Sequence, residues 1–198
     1  AETKAIRPSV QCLMVCTNLL RATDHRRLVK GVIDPIHKEH NISIEVAFVV
    51  DDTLVRFYNK EAAETLTYSL PDSSKNCLHN TALGKAYLST LKQSELKRKL
   101  LDMQMAPRTK KTIVDRSRLL EEIETCKKLK FATTEGEYLP GLLAIAAPLR
   151  DPISGEGVGA VSFDFSIMQH NMAEIREKYS SLIQETGRSL SQLLFHHT

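Results

Sequence analysis

Two stretches near the end of the chain, "GLLAIAAPLR" (141–150) and "GVGAVSFDFS" (157–166), constrain its fold most strongly. Each alternates small or polar residues with bulky apolar ones, as in a strand whose two faces differ. The connecting "DPISGE" has the turn composition of a hairpin. One face of this hairpin carries Leu142, Ala144, Ala146, Ala160, Ser162 and Asp164. The other face carries the bulky residues, including Val161, Phe163 and Phe165, and is predicted to pack under a helix.

The rest of the chain predicts an α+β fold. "ISIEVAFVV" and "LVRFYN" predict a second hairpin, "ETLTYSL" and "FATT" predict strands, and "PDSSKN" predicts a loop. Helices are predicted over 8–21, from residue 24 to about 36, and over 82–91, 94–102 and 115–129, with a final amphipathic helix carrying Met168 through Leu193. Pro35 argues against an unbroken second helix. Few strands are separated by single crossover helices, so the sheet is predicted to be mainly antiparallel and flanked by helices.

Composition and charge exclude several classes of protein. The formal net charge is +3, and each basic cluster has acidic neighbours, which is typical of solvated surface rather than a nucleic-acid site. No apolar run approaches eighteen residues, and the polar start is unlike a signal peptide, so a cytoplasmic protein with no membrane partner is predicted. The four cysteines form no CxxC pair. We therefore expect neither a metal site nor a cofactor.

The stretch "HNTALGKAY" (79–87) superficially resembles a phosphate-binding loop. Lys85 is followed by Ala86 instead of Ser or Thr, and no glycine stands five positions before Gly84, so that motif is rejected. Asn80 or Thr81 is instead predicted to cap a helix. The first N–H groups of such a helix lack intrahelical partners and can bind an anionic or carbonyl group.

The small-residue face of the late hairpin leaves unfilled volume unless long side chains occupy it. A cavity floored by alanines, with Ser162 and Asp164 as polar groups, matches how small-molecule sites are built. Alternation alone fits a solvent-exposed sheet face equally well.

A catalytic interpretation rests on Cys77 as nucleophile, His79 as base and Asp72 as orienting acid. Side chains two residues apart on a loop rarely reach the geometry that such a pair requires. The chain is therefore predicted not to be an enzyme, with a small cysteine-dependent hydrolase as the alternative.

Four collinear segments resemble the effector-binding domain of IclR-type transcriptional regulators. They are "HNTALGKAYLSTL", "KKTIVD", "FATTEGEYLPGLLAIAAPLRD" and "GVGAVSFDFS", and the resemblance extends from about residue 24 to 195. It implies a GAF-like (profilin-like) domain over 24–198 that binds a small-molecule metabolite effector. Residues 1–23 would hold the linker helix from a winged helix-turn-helix domain that this chain lacks.

The same resemblance implies that the domain forms a homodimer or homotetramer and reaches DNA only through the N-terminal domain. If the chain is a binding protein of another kind, the alternative to an IclR-type domain is a GAF-like sensor module of another signalling protein.

The resemblance also implies the residues of the effector site: Thr81, Ala82, Leu83, Thr134, Leu142, Ala144, Ser162 and Asp164. Three of them depart from the family pattern, which commonly has Asp at Thr134, Cys at Ala144 and Ser at Asp164. A buried Asp164 would repel a ligand carboxylate unless it were paired or protonated. We therefore expect a ligand that presents hydroxyl or amine donors instead of a simple oxoacid.

Overall fold

The computed structural model describes residues 24–63 and 73–195 of the protein. Within these ranges the chain forms five helices and six strands. The helices are α1 (Asp24–His40), α2 (Ala82–Leu88), α3 (Gln93–Asp102), α4 (Arg116–Leu129) and α5 (Met172–Phe195). The strands are β1 (Ser43–Val50), β2 (Thr53–Lys60), β3 (Ser73–Lys75), β4 (Ala132–Glu135), β5 (Leu142–Arg150) and β6 (Gly157–Ser166).

The six strands form one sheet in the order β3-β2-β1-β6-β5-β4, and every neighbouring pair is antiparallel. Both predicted hairpins are present, β1 with β2 and β5 with β6. The predicted α+β class with an antiparallel sheet is therefore confirmed.

Each face of the sheet is covered by its own layer of helices. The bulky side chains of β5 and β6, such as Ile145 and Phe163, are fully buried with α1 and α5 in one apolar cluster. The small side chains of the opposite face, such as Ala146 and Ala160, belong to a second cluster with α2, α3 and α4. The predicted division of the hairpin into a bulky and a small face is thus correct.

Local side-chain chemistry sets the ends of the helices on the small face. Asp115 caps α4 by accepting a hydrogen bond from Arg118 N at 2.8 Å. The same helix stops at Lys130, whose left-handed backbone (φ 64°) cannot continue the helical ladder.

Pro35 does not break α1, which runs without interruption to His40. Val29 and Ile33 are fully buried on the bulky face, and this packing maintains the helix despite the lost backbone hydrogen bond.

Two other sequence predictions are wrong. The final helix does not include Met168, which is exposed and lies before it. The helix starts at Met172, because the Asn171 and Glu174 side chains accept hydrogen bonds from each other's backbone N–H groups. Residues 73–75, predicted as loop, form the edge strand β3 against Thr53–Val55, a pairing that backbone groups alone can make.

The predicted linker helix over 8–21 and the predicted strand "ETLTYSL" lie outside the described residues.

Candidate functional site

The small face of the sheet brings together most of the residues that the sequence predicted for an effector site. Asp164 on β6 lies directly opposite Ser43 on β1 and Ala144 on β5, and Ala144 in turn lies opposite Thr134 on β4. We call this line of four residues the polar row. Thr134 and Ala144 are almost completely buried.

A second row runs beside the polar row on the same face. Ser162 lies opposite Glu45 on β1 and Ala146 on β5. On the far side of the polar row, Leu142 pairs with Ser166. Alanines stand between the polar residues, and they are buried under the helices of this face.

Helix α2 packs against β4, β5 and β6 on this face. Thr81 caps the helix, because its Oγ1 accepts a hydrogen bond from Gly84 N at 3.1 Å and donates one to Cys77 O at 2.6 Å. Among the described residues, none accepts a hydrogen bond from the backbone N–H of Ala82 or Leu83. Thr81 is therefore the predicted cap, and the first turn keeps two free donors.

A close backbone contact fixes the position of α2. A Cβ atom on Gly84 would lie 2.3 Å from Leu78 Cα, so only glycine allows the helix to lie this close to the preceding loop.

Ser162 is a buried hydroxyl whose polar neighbour in the described part of the chain is the Asp164 carboxyl. It is 1% exposed, and its Oγ makes no hydrogen bond of ordinary geometry. A buried hydroxyl is normally paired, so this one calls for a ligand or a bound water.

Asp164 is half-buried, and its carboxyl lies near the Ser162 hydroxyl and the charged side chains of Glu45 and Arg56. Burial, and then the charge of Glu45, raise the pKa of Asp164 to about 8, against smaller opposing effects of the nearby Ser162 hydroxyl and of Arg56. The protonated form of this carboxyl is therefore favoured well above the pH at which an exposed aspartate ionises.

Glu45 and Arg56 complete the charged part of this face, and neither was predicted from the sequence. Glu45 is 5% exposed, and its Oε2 lies 3.5 Å from Nη2 of Arg56 on β2. The available signal was an acidic residue inside the apolar strand "ISIEVAFVV", where a buried carboxylate requires a partner.

Lys85, which follows Gly84 in the rejected phosphate-loop stretch, does not lie on the surface. It is 1% exposed, and its Nζ lies 2.7 Å from Glu137 Oε1 and 3.7 Å from Glu122 Oε2. Burial raises the pKa of Glu137, and the Lys85 charge opposes that shift. The buried Lys85–Glu137 ion pair therefore links α2 to the loop after β4.

Cys77 and His79 do not form a nucleophile–base pair. The Cys77 thiol donates to Lys75 O at 3.1 Å, and burial raises its pKa, so the reactive thiolate is disfavoured. His79 Nε2 lies 3.1 Å from Ala106 O, and burial lowers the pKa of its ring. No hydrogen bond joins the two side chains in the described structure. Within the same residues, no group of three His, Cys, Asp or Glu side chains could hold a metal ion.

The family model of the bacterial transcriptional regulator IclR C-terminal domain matches residues 17–192. This chain belongs to the IclR family. The match covers the whole sheet, the first four described helices and α5 as far as residue 192, which identifies the chain as an IclR-type effector-binding domain.

Two curated relatives are transcriptional regulators. The HTH-type transcriptional regulator BhcR of Paracoccus denitrificans is 28% identical over 140 residues, covering 71% of this chain and 50% of the relative. The HTH-type transcriptional repressor AllR of Escherichia coli is 27% identical over 182 residues, covering 89% of this chain and 66% of the relative. This IclR chain therefore spans about half to two thirds of their length.

Solved structures share the fold. The IclR protein of Thermotoga maritima has a TM-score of 0.82 at 23% identity, over 95% of this chain and 75% of that one. The inducer-binding domain of PobR from Acinetobacter, solved as a double mutant with 3-hydroxybenzoic acid, has a TM-score of 0.75 at 16% identity, over 85% of this chain and 98% of that one. None of the described helices of this IclR domain is long and apolar enough to cross a membrane.

Proposed function

We propose that the effector of this IclR domain binds over the polar row, on the small-residue face of the sheet. The observation that carries the proposal is the Ser162 hydroxyl, which is buried beside the Asp164 carboxyl and makes no hydrogen bond to any other described group. The side chains at 144, 146 and 160 are alanines, which add little bulk to the face that α2 covers. A few polar groups on a mostly apolar wall are typical of small-molecule sites.

The residues of the site have distinct roles in this proposal. Ser162 and Asp164 bind polar groups of the ligand from the floor, and Thr134 offers a hydroxyl at the β4 end of the polar row. Ala144 and Leu142 provide apolar surface. The backbone N–H groups of Ala82 and Leu83, beside the cap residue Thr81, bind an acceptor atom such as a carbonyl or hydroxyl oxygen.

The ligand is proposed to present a hydroxyl or amine donor to Asp164. In the family pattern described in the sequence analysis, the position of Asp164 is commonly Ser. The position of Thr134 is commonly Asp. The acidic group has therefore moved across the site. A simple oxoacid fits this arrangement less well than a ligand with donor groups.

At the level of the whole regulator, we propose that effector binding controls a winged helix-turn-helix domain preceding this one. The domain would act as a cytoplasmic homodimer or homotetramer, linked through a helix within residues 1–23. Ligand binding would shift the distance between the DNA-reading domains and so alter operator affinity. No catalytic step is proposed, since the Cys77 thiol and the His79 ring bind backbone carbonyls separately.

The experiment is calorimetric titration of a metabolite panel against the wild-type domain and Asp164→Ser. A ligand of the proposed kind binds the wild type and loses at least about tenfold in affinity to the variant, which is about 1.4 kcal/mol. Tight binding of a simple oxoacid that is insensitive to the substitution would overturn the proposed site chemistry.

A further inference from the structure

A cavity of about 510 Å³ lies where α5 packs against the end of β5. Ala147 and Pro148 line it from the strand, and Gln184, Arg188 and Ser191 line it from the helix. Small-molecule sites in proteins typically enclose about 300–1,000 Å³. The cavity therefore has the size of a site for a small metabolite.

This cavity is separate from the proposed effector site. Ala147 belongs to the apolar cluster of α1 and α5, whereas Ala144 of the polar row belongs to the cluster of α2, α3 and α4. The sheet lies between the two clusters, and none of the eight residues predicted for the effector site is among the described residues that line the cavity.

The helix and the strand beside the cavity are held in close contact. A Cβ atom on Gly187 would lie 2.9 Å from Ala147 Cβ, so the helix can approach the strand this closely because position 187 has no side chain. One turn further on, Ser191 Oγ donates to Gly187 O at 2.7 Å and accepts from Arg150 N at 3.0 Å. The cavity is thus bounded by fixed backbone.

Three cationic residues line the cavity: Lys130, Arg150 and Arg188. No Asp or Glu is among its described lining residues. Lys130 and Arg188 are exposed, and neither forms an ion pair within the described structure. Glu185, the nearest acidic residue along α5, does not line the cavity. The lining therefore favours a negatively charged occupant.

Arg150 is a half-buried cation without a carboxylate partner in the described structure. Its Nη1 donates to Gly155 O at 3.4 Å and its Nη2 to Ser89 O at 3.3 Å. Burial lowers the pKa of the Arg150 guanidinium. The adjacent Asp151 does not offset this charge, because its carboxylate accepts a hydrogen bond from Ile153 N in the hairpin turn.

We propose that this cavity is a second small-molecule site, which binds an organic anion through the charges of Lys130, Arg150 and Arg188. The anionic group is a carboxylate or a phosphate, since lysine and arginine bind the oxygens of both. A small apolar body of the ligand would contact Ala147 and Pro148. The site goes beyond the proposed effector function, because it lies on the other face of the sheet and gives α5 a ligand of its own.

The test uses probes that share one ring and differ in charge: benzoate, phenyl phosphate and the neutral benzamide. Each is titrated calorimetrically against the wild-type domain at pH 7, at low and at high KCl concentration. We expect at least one anion to bind at least about tenfold more tightly than benzamide. Its affinity should fall at high salt, because two of the three cations are exposed and screened. The comparison of the two anions distinguishes a carboxylate ligand from a phosphate ligand.

Variants assign the anion to the cavity. Arg188→Gln and Lys130→Gln should each weaken anion binding at least about fivefold, which is about 1 kcal/mol. Both side chains are exposed, so thermal unfolding of either variant should match that of the wild type. Lys128→Gln is the control, because it removes the same charge from an exposed position that does not line the cavity. Asp164→Ser should also leave anion affinity unchanged.

Equal binding of benzamide and the anions would overturn the inference. So would the failure of both anions to bind at millimolar concentration, or equal losses in Lys128→Gln and Lys130→Gln, which would indicate a general effect of charge. If anion affinity falls in Asp164→Ser but not in Arg188→Gln, the anion occupies the effector site and the second site is refuted. If the anions bind as expected and no metabolite of the panel binds at the polar row, the second site stands and the proposed effector site fails.

Discussion

Nζ of Lys85 lies 2.7 Å from Oε1 of Glu137, and the two side chains are only 1% and 9% exposed. This pair joins the helix that covers the candidate site to the loop that follows β4. A buried charge depends on its partner, because water no longer solvates either group.

Lys85→Ala should therefore lower the free energy of unfolding by about 3–5 kcal/mol, since Glu137 would remain buried without its cation. Denaturant unfolding measures the change. Lys111→Ala is the control: its pair with Glu135 is exposed at both ends and should contribute less than about 1 kcal/mol. Equal losses in the two variants would contradict the assigned role of Lys85.

Gly84→Ala should destabilise the domain by at least about 2 kcal/mol, because the new Cβ would lie 2.3 Å from Leu78 Cα and backbone atoms would have to move. Gly31→Ala on α1 is the matched substitution, with no atom within 4 Å of its Cβ. It should raise stability by about 0.5–1 kcal/mol through helix propensity. Thermal unfolding of both variants tests the contrast, which a stabilising effect at Gly84 would refute.

Ser162→Ala should change the free energy of unfolding by less than about 1 kcal/mol, because Asp164 is the sole described polar group that its hydroxyl approaches. Ser43→Ala, on the same face, should cost about 1 kcal/mol, since Ser43 Oγ accepts from Ala62 N at 3.0 Å. Effector affinity should fall in Ser162→Ala. A large loss of stability in that variant would mean that Ser162 has a structural role instead.

The stability of the domain should depend on pH through Asp164. Its pKa is about 8 in the folded chain and near 4 in the unfolded one, so the folded state holds more protons between these values. Stability relative to Asp164→Asn should then fall as the pH rises from about 4 to about 8. Denaturant unfolding of both proteins at pH 5, 7 and 9 checks the sign. The raised pKa of Glu137 affects both proteins equally and cancels in the difference between their stabilities. A difference that is constant with pH would contradict a protonated Asp164.

Ala82→Pro separates binding from folding at the start of α2. Proline is favoured at the first helical position, the N–H of Ala82 has no acceptor in the described chain, and Thr81 already has the extended backbone that precedes proline. Ala82 is 2% exposed, so the added ring should cost about 1–3 kcal/mol of stability. Effector affinity of the folded variant should drop as well, because a donor is lost. Gln93→Pro at the first position of α3 is the control and should bind normally. Unchanged affinity in Ala82→Pro would remove the α2 backbone from the site.

The parts of this fold that the sequence predicted are those with a local signal. Alternation over ten residues of β6 determines which side chains share a face, and it therefore predicts correctly that Ser162 and Asp164 lie together. The start of α5 also had a local signal, Asn171 followed three residues later by Glu174. The apolar spacing from Met168 predicted an earlier start, and the capping pair outweighs it.

The parts that the sequence did not predict depend on contacts between distant segments. Glu45 became part of the candidate site through the β1–β6 register, which links positions more than a hundred residues apart. The burial of Lys85 depends on Glu137, which is 52 positions away. Edge strand β3 is three residues long and carries no pattern that distinguishes it from a loop.

Because successive residues of β6 belong to different helical layers, the proposed effector site and the packing against α5 lie on opposite sides of one strand. Phe163 can continue to anchor α5 while its neighbours Ser162 and Asp164 are exchanged during evolution. Homologous domains can thus diverge in effector preference through single substitutions without rebuilding their core.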